Sequence, residues 1–280
     1  MRKICKSVHL WLSLPFGLLI SVICFSGAAL VFEREITQAL QHHLYEVRSE
    51  GKEVLPSTLL ESRVRDQLPD TLEITSIKMP EREGAVCMVS FKNAGKRMAS
   101  VNPYTGEVIG FTYSYPFFQT MRKLHRWLLD PPARRGEGSV GKMVVGFSTL
   151  AMVFVLLSGL VIWVPRNHRA LNNRLRISFT KGWRRFCYDA HVSLGFYALL
   201  FLMLMALTGL TWSFGGYRRT VVYEICEAIL PGGQSPKVFL YTLHTGRWGG
   251  MLTQVIYFLA ALIGGLLPLT GYYLWWKKRK

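Results

Sequence analysis

The stretch DAHVSLGFYALLFLMLMALTGLTW, residues Asp189–Trp212, decides the fold. His191 opens it, Val192 to Phe214 then runs for 23 residues without a charge, and Gly209, preceded by Thr208, stands 18 residues after the histidine. At about 1.5 Å per helical residue such a run crosses a hydrocarbon core of about 30 Å. It predicts a transmembrane helix. The same pattern occurs near the N-terminus, where His9 precedes LWLSLPFGLLISVICFSGAALVF and Gly27, preceded by Ser26, again follows at a spacing of 18. A second matched pair is LSGLVIW, ending at Trp163, and LTGYYLW, ending at Trp275. Each lies downstream of a Leu-His dipeptide, Leu124-His125 and Leu243-His244 respectively. This weak internal symmetry predicts two similar hairpins, residues 1–165 and 183–280, each bringing two histidines.

Four spans satisfy the apolar-run rule: Leu10–Phe32, Met143–Val164, Val192–Phe214 and Leu252–Trp276. Half of the 280 residues are apolar, and the net charge is +17. A basic chain of this kind is either a nucleic-acid binder or a membrane protein with a topology signal, and the location of the charges decides. Segments 1–9, 165–189 and 277–280 hold 14 of the 34 Lys and Arg, with Asp189 as their single acid. Segments 33–142 and 215–251 hold 20 basic against 16 acidic residues. The bias places both termini in the cytoplasm and 33–142 outside, and argues for lipid rather than nucleic acid as the environment. MRKICK before an apolar run resembles a secretory signal, but the run is long and three more spans follow, so it reads as a retained helix. The five cysteines, at 5, 24, 87, 187 and 226, have no zinc-type spacing. Cys87 and Cys226 share the oxidising side under this topology, which allows one disulfide; buried free thiols are the favoured alternative.

The expected organisation is therefore 1–32, N-terminus and first span; 33–120, an extracytoplasmic domain; 121–165, an amphipathic segment and second span; 166–189, a basic cytoplasmic loop; 190–214, the third span; 215–251, an extracytoplasmic loop; and 252–280, the fourth span and basic C-terminus. Glu33 to Val54 is expected to continue the first helix outward until Gly51. Pro56-Ser57 starts a helix with Leu59, Leu60, Val64 and Leu68 on one face and Pro69 as its stop. Strands are predicted over Leu72–Met79, Ala85–Phe91 and Arg97–Asn102, with turns at Glu83-Gly84 and Asn93-Ala94-Gly95, before NPYTGEVIGF turns into one more short strand. The fold class is mainly α membrane protein with a small extracytoplasmic α+β domain between the first two spans.

A helix, three strands and a closing NPYTGEV turn between the first two spans resemble a PepSY domain. The flanking spans, with histidine openings and (S/T)G-x3-W endings, resemble the PepSY-associated transmembrane family. The resemblance covers nearly the whole chain. It implies a bacterial inner-membrane protein similar to haem-containing ferric-siderophore reductases, with b-type haem held by histidines.

The histidines carry the same expectation. Ligation of haem iron by two imidazoles needs two neutral side chains facing each other in an apolar cleft, with basic groups near the propionates. His9 and His191 both stand at the cytoplasmic start of a helix; His125 and His244 both precede helices that run inward. The expected pairs are His9 with His191 and His125 with His244, holding one or two haems. The last two histidines lie far enough before their spans to fall in surface loops instead. Lys6, Arg126, Arg185 and Arg247 flank the four as propionate partners. His42-His43 is expected to be solvated, and His168 has no assigned role. Gly27, Gly159, Gly209 and Gly271 are expected to let helices approach closely, with a haem face as the alternative. Trp163, Trp183, Trp275 and Trp276 fit an interfacial belt. No GxGxxG, P-loop, Ser-His-Asp or flavin signature appears, so electrons would come from a cytoplasmic or quinol donor. A ferric siderophore or other Fe(III) chelate would dock beside the PepSY-like domain at Tyr217, Arg218 and Arg219. The competing class is a non-enzymatic, membrane-anchored PepSY binding module; a transporter is disfavoured by spans without Asp, Glu, Lys or Arg.

Overall fold

The computed structural model describes residues 1–49, 51–92, 97–134, 137–229 and 235–279. In chain order the helices are α1 (Arg2–Val31), α2 (Glu33–Leu40), α3 (Ser57–Gln67), α4 (Pro116–Trp127), α5 (Val140–Trp163), α6 (His168–Leu175), α7 (Trp183–Ser213), α8 (Gly215–Tyr217), α9 (Glu224–Ile229), α10 (Pro236–Thr245) and α11 (Gly250–Arg279). Between α3 and α4 lie β1 (Ile74–Lys78), β2 (Cys87–Phe91), β3 (Met98–Val101) and β4 (Val108–Phe111). Two compact units result: residues 32–116, and the rest of the described chain.

The larger unit is built on α1, α5, α7 and α11, all four long and apolar enough to cross a membrane. This is a multi-pass membrane protein. α1 packs on α5 and α11, and α7 packs on the same two, so the hairpins α1–α5 and α7–α11 lie side by side. Ile20, Cys24, Met152, Leu156, Ala198, Leu202 and Ala260 form the central layer. Leu18, Phe147, Phe154, Leu200 and Leu259 are exposed on the outside of the helices, as expected where hydrocarbon replaces water. Glycines outside the repeat are also tightly packed against side chains of neighbouring helices. A Cβ at Gly264 would meet Leu202 at 2.7 Å and Cys24 Sγ at 3.1 Å, and one at Gly265 would meet the Phe25 ring at 2.6 Å. Tyr272 threads its hydroxyl into α1, donating to Leu14 O at 2.7 Å and accepting from Leu18 N at 3.1 Å.

Two expectations need correction. The first helix does not continue to Gly51: it ends at Val31, and Glu33 and Glu35 open the separate α2, where acids favour a new helix start. Within 215–251 the described residues are not a plain loop; they form α8, a π-helical segment at Arg218–Tyr223, α9, α10 and a 3-10 turn at Arg247–Gly249.

The smaller unit follows the PepSY-like expectation. Its sheet is an antiparallel meander in the order β1-β2-β3-β4. Cys87, Val89 and Phe91 alternate onto one face of β2 and pack with Ala99 and Val101 against Leu60 and Val64 of α3. Leu68, placed before Pro69, is extended (φ −114°, ψ 151°) and ends α3, because proline disfavours helical backbone in the preceding residue. The NPYTGEV turn is tied to α3: Gln67 donates to Gly106 O at 2.8 Å and accepts from Val108 N at 2.9 Å. Gly106 takes φ +74°, a conformation natural to glycine. The expected turn at Asn93-Ala94-Gly95 lies outside the described residues.

All five cysteines are free thiols. Burial pushes the Cys87 thiol up to about 11. An unfolded thiol ionises near pH 8.5, so stability from keeping Cys87 neutral is complete below that pH and declines as pH rises toward 11. A thiol reagent at pH 8 is expected to leave Cys87 unlabelled until denaturant is added. Leu60→Ala should destabilise this unit by about 2–5 kcal/mol in denaturant melts followed by that labelling.

Candidate functional site

The four repeat-matched histidines meet in two pairs. The rings of His9 and His191 lie 6.3 Å apart between centres, and those of His125 and His244 lie 6.2 Å apart. All four are half-buried. His125 and His244 do not fall in surface loops; they stand near the C-terminal ends of α4 and α10.

Each histidine is seated on a Ser-Gly or Thr-Gly pair of another helix. His9 lies against Gly159 of α5, His125 against Gly27 of α1, His191 against Gly271 of α11 and His244 against Gly209 of α7. A Cβ at these glycines would come within 3.3, 2.8, 3.5 and 3.4 Å of the respective Cε1 atoms. The glycines thus admit imidazoles rather than a neighbouring helix backbone, which corrects the close-approach expectation.

The seat also fixes the tautomer. His9 Nδ1 is 3.0 Å from Val155 O, and His125 Nδ1 is 2.8 Å from Ile23 O. A carbonyl only accepts, so Nδ1 carries the proton. His191 Nδ1 lies 2.9 Å from Thr270 Oγ1, whose own proton goes to Leu267 O at 2.8 Å. His244 Nδ1 lies 2.9 Å from Thr208 Oγ1, which donates to Leu204 O at 2.6 Å. Hydroxyls committed in this way can only accept from the histidine. In the neutral imidazole Nε2 is then left as a lone pair, the form that binds a metal. Carbonyl and hydroxyl partners at the other ring nitrogen orient such a ligand.

The helices that deliver His125 and His244 are held by tight turns at the start of the following span. After α4, Leu128 and Leu129 adopt positive φ (49° and 69°), a costly conformation for side chains with a Cβ. Asp130 Oδ2 then accepts from Gly141 N at 2.9 Å, and a Cβ at Gly141 would lie 1.8 Å from Trp127 O. After α10, Gly246 takes φ +72°, and a Cβ there would meet the Tyr257 ring at 2.7 Å. The sequence reading missed Asp130, Gly141 and Gly246 in this role; Asp130-Pro131-Pro132 and the glycines after His244 were the available signals.

An imidazole nitrogen binds a transition metal at about 2.0 Å and lies about 1.1 Å from its ring centre, so two imidazoles on opposite sides of one ion have centres about 6.2 Å apart. Both pairs have that spacing. Among the described residues no group of three His, Cys, Asp or Glu converges. Two donors per site suit a metal that arrives with its other ligands, as in a tetrapyrrole.

The remaining candidates divide. Arg185 pairs with the buried Asp189 at 2.9 Å, Arg126 lies over the Trp127 ring at 4.5 Å, Lys6 is exposed, and Arg247 opens the 3-10 turn before α11. His42 is exposed and faces Glu46 at 3.2 Å; His43 and His168 are exposed. Trp183 and Trp276 are exposed, whereas Trp163 stacks on Phe196 and Trp275 lies under Arg279.

The seat predicts a graded cost. Gly27→Ala should displace His125 and lower stability in detergent by about 1–3 kcal/mol, while Gly138→Ala, where a Cβ meets nothing within 4 Å, should leave the thermal midpoint unchanged.

The family model described as PepSY-associated TM region matches residues 6–238 and 233–278. No curated protein matches the chain.

Proposed function

The chain belongs to the PepSY-associated TM region family, and from that membership and the two histidine pairs we propose that it is a membrane b-type cytochrome-like reductase. It moves single electrons from a cytoplasmic or quinol donor to an extracytoplasmic ferric chelate, such as a ferric siderophore, in iron acquisition. The observation that carries this reading is the double occurrence of two imidazoles at 6.2–6.3 Å with Nδ1 engaged.

His9 and His191 would hold one haem b, and His125 and His244 a second. A haem held by these histidines would supply one-electron chemistry. The protein's contribution is orientation and medium. The Nδ1–H bonds to helix carbonyls and threonine hydroxyls fix each ring and raise the basicity of Nε2. The apolar central layer between the pairs, from Ile20 and Leu202 to Met152 and Ala260, keeps water from the path. The positive-inside bias supports cytoplasmic termini in a bacterial inner membrane, with His9 and His191 on the cytoplasmic side and the PepSY-like unit on the other.

Purified protein in detergent is expected to show sharp dithionite-reduced bands of six-coordinate b-type haem, with a pyridine haemochrome count near two per chain. His191→Ala should remove about half of that absorbance and His244→Ala the other half. A protein that stays colourless when expressed with added haem would defeat this reading in favour of a membrane-anchored PepSY binding module.

A further inference from the structure

Trp163 follows Gly159, the seat of His9, by one helical turn. Its indole lies flat on Phe196 of α7, with 3.6 Å between ring centres and 5° between planes. The Nε1–H is buried and has no hydrogen-bond partner among the described residues. An indole nitrogen can only donate, and buried donors in folded proteins almost always have an acceptor. The stack removes the freedom to turn the N–H outward without giving up the Phe196 contact.

The surroundings say what kind of acceptor fits. At this end of α5, Arg2 donates to Val164 O, and Arg174 donates to the carbonyls of Ile162, at 3.0 Å, and of Trp163. The contacts from Arg174 to the helix end use a single nitrogen, Nη1, of a guanidinium that carries five N–H donors. Two cations and an unpaired donor at one helix end form an environment for an anionic oxygen. In the second hairpin the counterpart Trp275 lies under the Arg279 guanidinium at 4.2 Å.

We propose that Trp163 Nε1–H, with the Arg174 guanidinium at the same helix end, donates to a propionate carboxylate of the haem held by His9 and His191. This rests on the haem reading above and adds the residues that orient the cofactor's acidic edge. A phospholipid headgroup offers the same oxygen chemistry, and the test separates the two.

Haemin and its propionate dimethyl ester are titrated into cofactor-free protein carrying His244→Ala, which leaves the His9–His191 site, in a non-ionic detergent without lipid phosphate. The readout is the Kd from the Soret band. Trp163→Phe keeps the stack and deletes the donor. It should weaken haemin binding by about tenfold to a hundredfold, the range for a hydrogen bond to a charged group, and weaken the ester, whose neutral carbonyl is a poorer acceptor, by clearly less. Equal loss for haemin and ester would mark Trp163 as structural, and no loss for haemin would assign the N–H to lipid; either overturns the proposal. If neither ligand binds the Trp163 protein, the haem reading itself falls.

Discussion

A histidine Nδ1–H held against a Ser-Gly or Thr-Gly pair of another helix occurs four times, and it links every membrane-spanning helix to an imidazole from another element of its own hairpin. The glycine makes room for the ring, and the residue before it turns its hydroxyl back onto its own helix: Ser26 to Val22 O, Ser158 to Val155 O, Thr208 to Leu204 O and Thr270 to Leu267 O. In a bilayer no water satisfies an imidazole, so the ring nitrogen must find its acceptor within the protein. The seat meets that need and leaves the opposite nitrogen available.

The seats and the pairs obey different rules. Each seat lies within a hairpin: His9 on α5 and His125 on α1, His191 on α11 and His244 on α7. Each pair lies between hairpins, His9 with His191 and His125 with His244. The seats therefore fix the rings inside each half, and the packing of α1 on α11 and of α5 on α7 sets the distance between them. Tyr272 inserted at Leu14 and Leu18, and Phe25 over Gly265, register that joint.

The repeat was legible in the sequence because hydrophobic length and fixed spacings survive without coordinates. His9 to Gly27 and His191 to Gly209 announced the symmetry, and the charge distribution separated span from loop. The PepSY-like unit was legible through its turn residues and Pro69. The partner of each glycine was not, because a spacing along one helix is silent about which helix lies beside it. The spacing ties Gly27 to His9 along one helix, whereas the ring that occupies it is that of His125. The helical nature of the described residues of 215–251 was hidden by short segments that pack on the spans, such as α10 on α7, and have little helical stability of their own.

The division between seats and pairs has a consequence for biosynthesis. The first hairpin contains both partners of two seats, His9 with Gly159 and His125 with Gly27, and neither pair. Pairing arrives when α7 and α11 dock, so completion of both sites coincides with completion of the bundle. A chain that held only one hairpin would contain the partners of its seats and no partner for either pair.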